Sequence, residues 1–197
     1  MYLWHMEALS FNFNPFPVLE TERLVLRQYT AQDAEALFSF RSNPQAMRFV
    51  PRPLQQSVDD AMAMIDLINN GIAANDTIAW AIELKSTSKV IGSLSFHVIQ
   101  KEHHRAELGY MIHPDYWGKG IVPEAAAAAV HYGFNHLRFH SIEAIIDPVN
   151  VASARVLDKL GFVREAYFRE NFVQNGVFTD TAIYSLLRSD YLNNLKE

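Results

Sequence analysis

Apolar and polar positions alternate along ETERLVLRQYT (20–30), and this two-residue period with β-branched residues predicts a strand. The period then lengthens. Thr30 followed by Asp33 makes a capping-box pattern that predicts a helix through about Arg41. Ser57 with Asp60 repeats it ahead of AMAMIDLINN, whose apolar spacing is helical up to a glycine stop at Gly71. These two helices are expected to pair over one face. Three further strand-like runs, TIAWAIEL, VIGSLSFHVI and RAELGYMI, are separated by short polar turns at 85–89 and 100–104, which favours an antiparallel meander. A helix opening near Pro123, the strand SIEAIID and a helix from Asn150 through VASARVLDKL to Gly161 then make a strand-helix-strand crossover. FVREAYFRE and VFTDTAIYSLL flank a QNG turn, and Asn175-Gly176 is the strongest hairpin signal in the chain. The sum is an α/β (α+β) fold built on a mixed, largely antiparallel sheet of about six to seven strands, with helices on both faces.

Composition narrows the function classes. A chain of 197 residues, 49% hydrophobic and 20% charged, is large enough to bury one sizeable core. The expected organisation is an N-terminal extension over 1–18, carrying Trp4, Phe11, Phe13 and Phe16, a single domain over 19–190 and a tail over 191–197. Packing of those aromatics within the chain is favoured over packing on a partner. A net charge of -5 without any Lys/Arg stripe argues against nucleic-acid binding. Cysteine is absent, which removes disulfides, thiolate nucleophiles and cysteine-based zinc sites. The start has neither a basic n-region nor an apolar run long enough for a signal peptide or membrane span, so a cytoplasmic location is expected, with no membrane partner. A monomer and a homodimer fit equally.

Chemistry concentrates around WGKGIVPEAAAAA. Gly118 and Gly120 admit backbone angles closed to other residues, just where a helix leaves its first N–H groups unpaired. Such a turn suits a phosphate or pyrophosphate, with Lys119 as an added point charge, but a plain glycine-rich turn fits the local pattern equally well. The spacings GxxxxGK[ST] and GxGxxG are not found here. His103 and His104 lack the accompanying spaced ligands of a metal site, since neighbouring strand residues point to opposite faces, and no metal is expected.

The run ELGYMIHPDYWGKGIVPEA, followed about thirty residues later by NVASARVLDKLGF, resembles the GCN5-related N-acetyltransferases (GNAT), in particular their ribosomal-protein-alanine N-acetyltransferase (RimJ/RimL-like) branch. The likeness spans Leu19 to Leu187. The family's [Q/R]xxGx[G/A] motif falls on Trp117–Val122: Gly120 is kept, Trp117 replaces Gln or Arg as is usual in this branch, and Val122 replaces the last small residue. Asn150, Ser153, Lys159, Leu160, Gly161 and Phe162 match the second motif.

The resemblance implies acetyl-CoA as cosubstrate, its pyrophosphate on the N–H groups from Trp117 through Gly118, Lys119, Gly120 and Ile121 to Val122, and its pantetheine in a cleft between splayed strands ending at Ile112 and Asp147. Met111, Ile112, Asn150, Ser153 and Lys159 are the further cofactor contacts it implies. Gly109 fits the bulge that splays those strands in the family, or is an ordinary packing glycine. Acetyl transfer needs a neutral amine, and an α-amine is roughly a tenth neutral at pH 7 against less than about one part in a thousand for lysine. Glu107 is the candidate base and Ser153 the candidate proton relay to the leaving thiolate; a salt-bridged strand glutamate and an ordinary helix serine are the plain readings. His97 is a possible second base or a structural histidine. The acceptor is expected between the first helix pair and the C-terminal hairpin, near Arg48, Phe49, Tyr167, Arg169, Glu170 and Asn171, with Glu170 and Glu102 as candidates for recognising a basic peptide.

The expected function is direct, acetyl-CoA-dependent N-acetylation of a primary amine, with a protein or peptide N-terminus as a candidate acceptor. The alternatives are acetylation of a small amine (amino acid, polyamine or aminoglycoside) and a non-catalytic CoA-binding regulatory module.

Overall fold

The computed structural model describes residues 7–174 and 176–194. They form one eight-stranded sheet in the order β1-β2-β3-β4-β5-β6-β8-β7, with β1 Leu19–Glu20, β2 Leu24–Arg27, β3 Ile78–Leu84, β4 Lys89–Gln100, β5 Arg105–Ile112, β6 Ser141–Ile146, β7 Val163–Gln174 and β8 Val177–Leu187. All neighbours run antiparallel except β5 and β6. Eight strands replace the expected six or seven because ETERLVLRQYT is not one strand. Thr21 turns the chain back on itself: its N–H donates to the Leu24 carbonyl at 3.0 Å, and its hydroxyl oxygen accepts from Leu24 N–H at 3.0 Å. Leu19 thereby pairs with Leu26.

Helices α1 (Ala34–Arg41) and α2 (Val58–Ala73) cover one face, where Leu37, Phe40 and Ile65 pack with Tyr29, Ala81, Val90 and Met111. Helix α3 (Ile121–Asn135) and helix α4 (Val151–Lys159) cover the other. The alanine run explains how close α3 comes: Ala125, Ala126 and Ala129 are fully buried, so a helix with almost no side-chain bulk lies on Phe96, Phe139 and Ile142. A short α5 (Arg188–Asn194) follows β8, and its Tyr191 stacks on Phe134 with ring centroids 5.0 Å apart.

Both capping boxes are present, at Thr30 and Ser57, although a 3-10 turn over Ala31–Asp33 precedes α1. Gly71 does not stop α2. The helix continues to Ala73, and the left-handed residue that ends it is Asn75, with φ 57°. Gly71 serves packing instead, since a Cβ there would stand 2.6 Å from the Thr77 methyl. The β7–β8 hairpin closes between the paired Gln174 and Val177. Gly176 there has φ 78°, while Asn175 lies outside the described residues.

Residues 9–17 run along the α3 side of the sheet. Leu9 N–H donates to the Lys101 carbonyl at 3.1 Å, Phe13 N–H to Asn75 Oδ1 at 2.9 Å, and the Trp80 indole to the Pro17 carbonyl at 2.8 Å. Phe13 is 4% exposed and stacks on Phe11, which meets Phe139 edge-on. Trp4 lies outside the described residues. Truncating a buried phenylalanine costs about 3–5 kcal/mol. Phe13→Ala is therefore expected to lower the melting temperature by roughly 6–20 °C, measured calorimetrically.

Candidate active site

Strands β5 and β6 pair only over Arg105–Glu107 against Ser141–Glu143. Beyond that point they part, although β5 stays paired to β4 through Ile112 and β6 to β8 through Ile146. The residues of β5 from Leu108 to Ile112 thus turn one backbone edge into an open cleft. The irregularity expected at Gly109 lies elsewhere. Gly109 pairs in register with Ser95, and the bulge is in β4, where His97 is the extra residue between the Phe96–Leu108 and Val98–Glu107 pairs. Gly109 makes room for that histidine, because a Cβ there would stand 3.0 Å from His97 Cε1 and Nδ1.

At the wide end of the cleft, a 3-10 turn over Pro114–Tyr116 leads into the glycine turn and α3. Gly118 and Gly120 both have φ 71°, left-handed backbone that side chains disfavour. A Cβ on Gly118 would meet nothing within 4 Å, so the backbone is open to close approach. The N–H groups of Gly118, Lys119, Gly120, Ile121 and Val122 find no acceptor among the described residues. Trp117 does not belong with them, since its N–H donates to the Pro114 carbonyl at 3.0 Å and its half-exposed indole donates to the Ile112 carbonyl at 3.2 Å. Lys119 does not aim its charge at the turn either: the ammonium sits 5.2 Å from the centre of the Tyr116 ring. Ile121 is buried and Val122 packs against the core, so the larger residue at 122 fills the interior rather than the turn.

A half-buried clamp holds this loop. Glu124, in the first turn of α3, accepts from Arg23 Nε at 2.6 Å, from Arg23 N–H at 3.0 Å and from the Thr21 hydroxyl, while Arg23 Nη1 donates to the Lys119 carbonyl at 2.9 Å. Burial pushes the Glu124 carboxyl up, but the Thr21 and Arg23 hydrogen bonds outweigh it and hold it below the usual carboxylate range. None of these partners was legible from sequence, because Arg23 and Glu124 lie 101 residues apart.

Polar pairs flank the cleft on its two faces. On the α1/α2 face, which Gly109 and Met111 share, Glu107 Oε1 lies 3.2 Å from His97 Nε2; the Glu107 side chain is 17% exposed and that of His97 45%. On the α3/α4 face, buried Ser153 places Oγ 2.7 Å from the Tyr110 hydroxyl. Burial pushes the Tyr110 phenol up to about 12, against the opposing hydrogen bond to Ser153, so it stays protonated at neutral pH. Asn150 caps α4, its Oδ1 accepting from Ser153 N–H at 3.2 Å. Met111 and Ile112 are buried, facing opposite sides of the sheet. Lys159 is not gathered into this group: it is exposed in the last turn of α4, roughly 9 Å along the helix from Ser153. Glu102 sits in the turn before β5, at the end away from the cleft. Tyr110 was missed by sequence reading, where it appears only as one more alternating strand residue.

Beside the cleft, Tyr167, Phe168, Arg169, Glu170 and Asp180 line an open cavity of about 710 Å³. Tyr167 donates to Asp180 Oδ2, and Glu170 N–H donates to Asp180 Oδ1 at 2.8 Å. These bonds hold Asp180 below its usual value. The hairpin tip reaches the loop after α1, where Gln174 Nε2 donates to the Arg48 carbonyl at 3.2 Å and the Arg48 guanidinium lies over the Phe49 ring. Among the described residues no cluster of three or more potential metal ligands occurs, and no helix is long and apolar enough to cross a membrane.

A cleft between parting parallel strands, closed at one end by a helix-opening turn of free N–H groups, defines a protein that holds a long, phosphate-bearing ligand. The sequence profile described as "Acetyltransferase (GNAT) domain" matches residues 23–163, and the chain belongs to this family of acetyl-CoA-dependent N-acetyltransferases. It is 39% identical over 173 residues to the uncharacterized N-acetyltransferase YoaA of Bacillus subtilis, covering 88% of this chain and 98% of that protein. A GNAT-family acetyltransferase from Bacillus anthracis superposes with a TM-score of 0.78 at 28% identity, covering 88% and 99% of the two chains. Spermidine N-acetyltransferase from Vibrio cholerae, solved with CoA and spermine, does so with 0.78 at 26%, covering 88% and 100%.

The geometry fits acetyl-CoA. Free N–H groups at a helix start suit the pyrophosphate, and the unpaired edge of β5 suits an extended amide chain. Since the carboxyl of Glu124 is held below its ordinary value, its contribution to stability is complete above that value and is lost as pH falls through the lowered one. Glu124→Gln is expected to melt below the native chain and to bind acetyl-CoA more weakly at neutral pH. The two melting temperatures should converge as pH drops below the carboxylate range; a gap that persists in acid would mean the clamp is not ionic.

Proposed function

We propose that this acetyltransferase moves acetyl directly to a primary amine, with the α-amine of a protein or peptide as the first-choice acceptor. The reading is carried by one observation, the open cleft flanked by His97–Glu107 on one face and Tyr110–Ser153 on the other. An amine entering from the α1/α2 face loses its proton to the His97–Glu107 side and attacks the thioester carbonyl. Ser153, hydrogen-bonded to a protonated phenol, supplies a proton on the opposite side, where the thiolate departs. Absence of cysteine favours this direct route over an acetylated enzyme.

The cavity beside the cleft, lined by Tyr167, Phe168, Arg169, Glu170 and Asp180, is open to solvent, so an extended acceptor such as a peptide can lie along it. Glu170 and Asp180 in its wall favour a second reading, a polyamine, in line with the likeness to the spermidine enzyme.

Two measurements test this. Acetyl-CoA at about a hundred times its Kd should stabilise the chain by roughly 2.7 kcal/mol, and Gly120→Glu, which sets an anion among the free N–H groups, should abolish the shift. Thiol release should then follow with peptides bearing free N-termini. Release with spermidine alone would establish the second reading, and release with no amine would sink both.

A further inference from the structure

We propose that His97 is the catalytic base and that Glu107 is its positioning residue, an assignment that rests on the acetyltransferase reading above. In an unbroken antiparallel ladder, successive residues of β4 would alternate faces against β5. His97 keeps the α1/α2 face that alternation from Ser95 gives it, and the bulge leaves it without a partner on β5, so that its imidazole lies across two residues with different surroundings. One end of the ring, Nε2, meets Glu107, the last residue of β5 that pairs with β6. The other end, Nδ1, lies over Gly109, inside the stretch where β5 has no β6 partner.

This placement separates the two roles. Glu107 is mostly covered and stands beside Glu143 across the β5–β6 pair, whose own carboxylate faces Arg105 at 3.6 Å. One Glu107 carboxylate oxygen is already taken up by His97 Nε2 at 3.2 Å. His97, at 45% side-chain exposure, is the member of the pair that solvent and an acceptor reach. An Nε2–H turned toward the carboxylate leaves Nδ1 as the free acceptor over the cleft, and the carboxylate stabilises the imidazolium that forms. In the balanced step, Nδ1 takes one proton from the acceptor ammonium. The freed amine forms the N–C bond, the C–S bond breaks, the second amine proton leaves to solvent, and the thiolate is protonated from the Ser153–Tyr110 side. Gly109 gives the ring this room, because a Cβ there would stand 3.0 Å from Cε1 and Nδ1 and press the imidazole aside.

The test uses the full chain and the best acceptor from the thiol-release panel. His97→Ala should lower kcat by about a hundredfold or more while leaving the acetyl-CoA thermal shift and its KM within about twofold of native, and added imidazole should restore part of the rate. Glu107→Gln should lower kcat less than His97→Ala does. Turnover of His97→Ala within about threefold of native, or loss of its acetyl-CoA shift, would overturn the assignment, as would a rate deficit that imidazole leaves untouched. Native protein that binds acetyl-CoA yet releases thiol to no amine would instead overturn the transferase reading, and this one with it.

Discussion

Everything at the site depends on a hydrogen-bond ladder that stops. Parallel β5 and β6 hold together for Arg105–Glu107 against Ser141–Glu143, and then each strand follows its other neighbour. The gap survives because neither strand is left alone: β5 is paired with β4 as far as Ile112, and β6 with β8 as far as Ile146. Two half-sheets joined by a short seam can open without losing their own ladders. What remains is one strand edge with backbone groups that must find partners in water or in a ligand.

The seam also sorts the chemistry by face. Strand alternation sends Glu107 and Gly109 toward α1 and α2, and Leu108, Tyr110 and Ile112 toward α3 and α4. A reaction that removes a proton from one partner and delivers one to another benefits from having the two groups on opposite sides of the reacting atoms. Here a period of two, set by the backbone alone, puts the imidazole–carboxylate pair and the phenol–hydroxyl pair on opposite faces of the cleft.

Local pattern made most elements readable, including the meander, the crossover and both capping boxes, because these depend on spacing within a dozen residues. It failed where distant groups decide. The turn at Thr21 that splits the first strand is locked by Glu124, 103 residues away. Gly71 looked like a helix stop, but Thr77 requires it for close packing and Asn75 takes the left-handed position. Of the candidate site, Glu107, Ser153, Asn150 and the glycine turn are legible in the sequence. Tyr110 was not, since nothing in RAELGYMI says that its hydroxyl meets a helix 43 residues on. Charge at the turn makes Lys119 a candidate and the second motif makes Lys159 one, whereas one ammonium lies over Tyr116 and the other stands apart from the cleft.

The Arg23–Glu124 clamp has a bearing on how the chain reaches this state. The glycine turn is held by Thr21 and Arg23, in the turn between the first two strands, so its shape is a product of long-range closure, whose entropy cost slows folding. A partly folded chain has the sequence of the turn but not its geometry. Ligand affinity at the turn is then conferred only when the first and middle thirds of the chain have docked, and cofactor binding draws the population toward the finished structure rather than toward any intermediate.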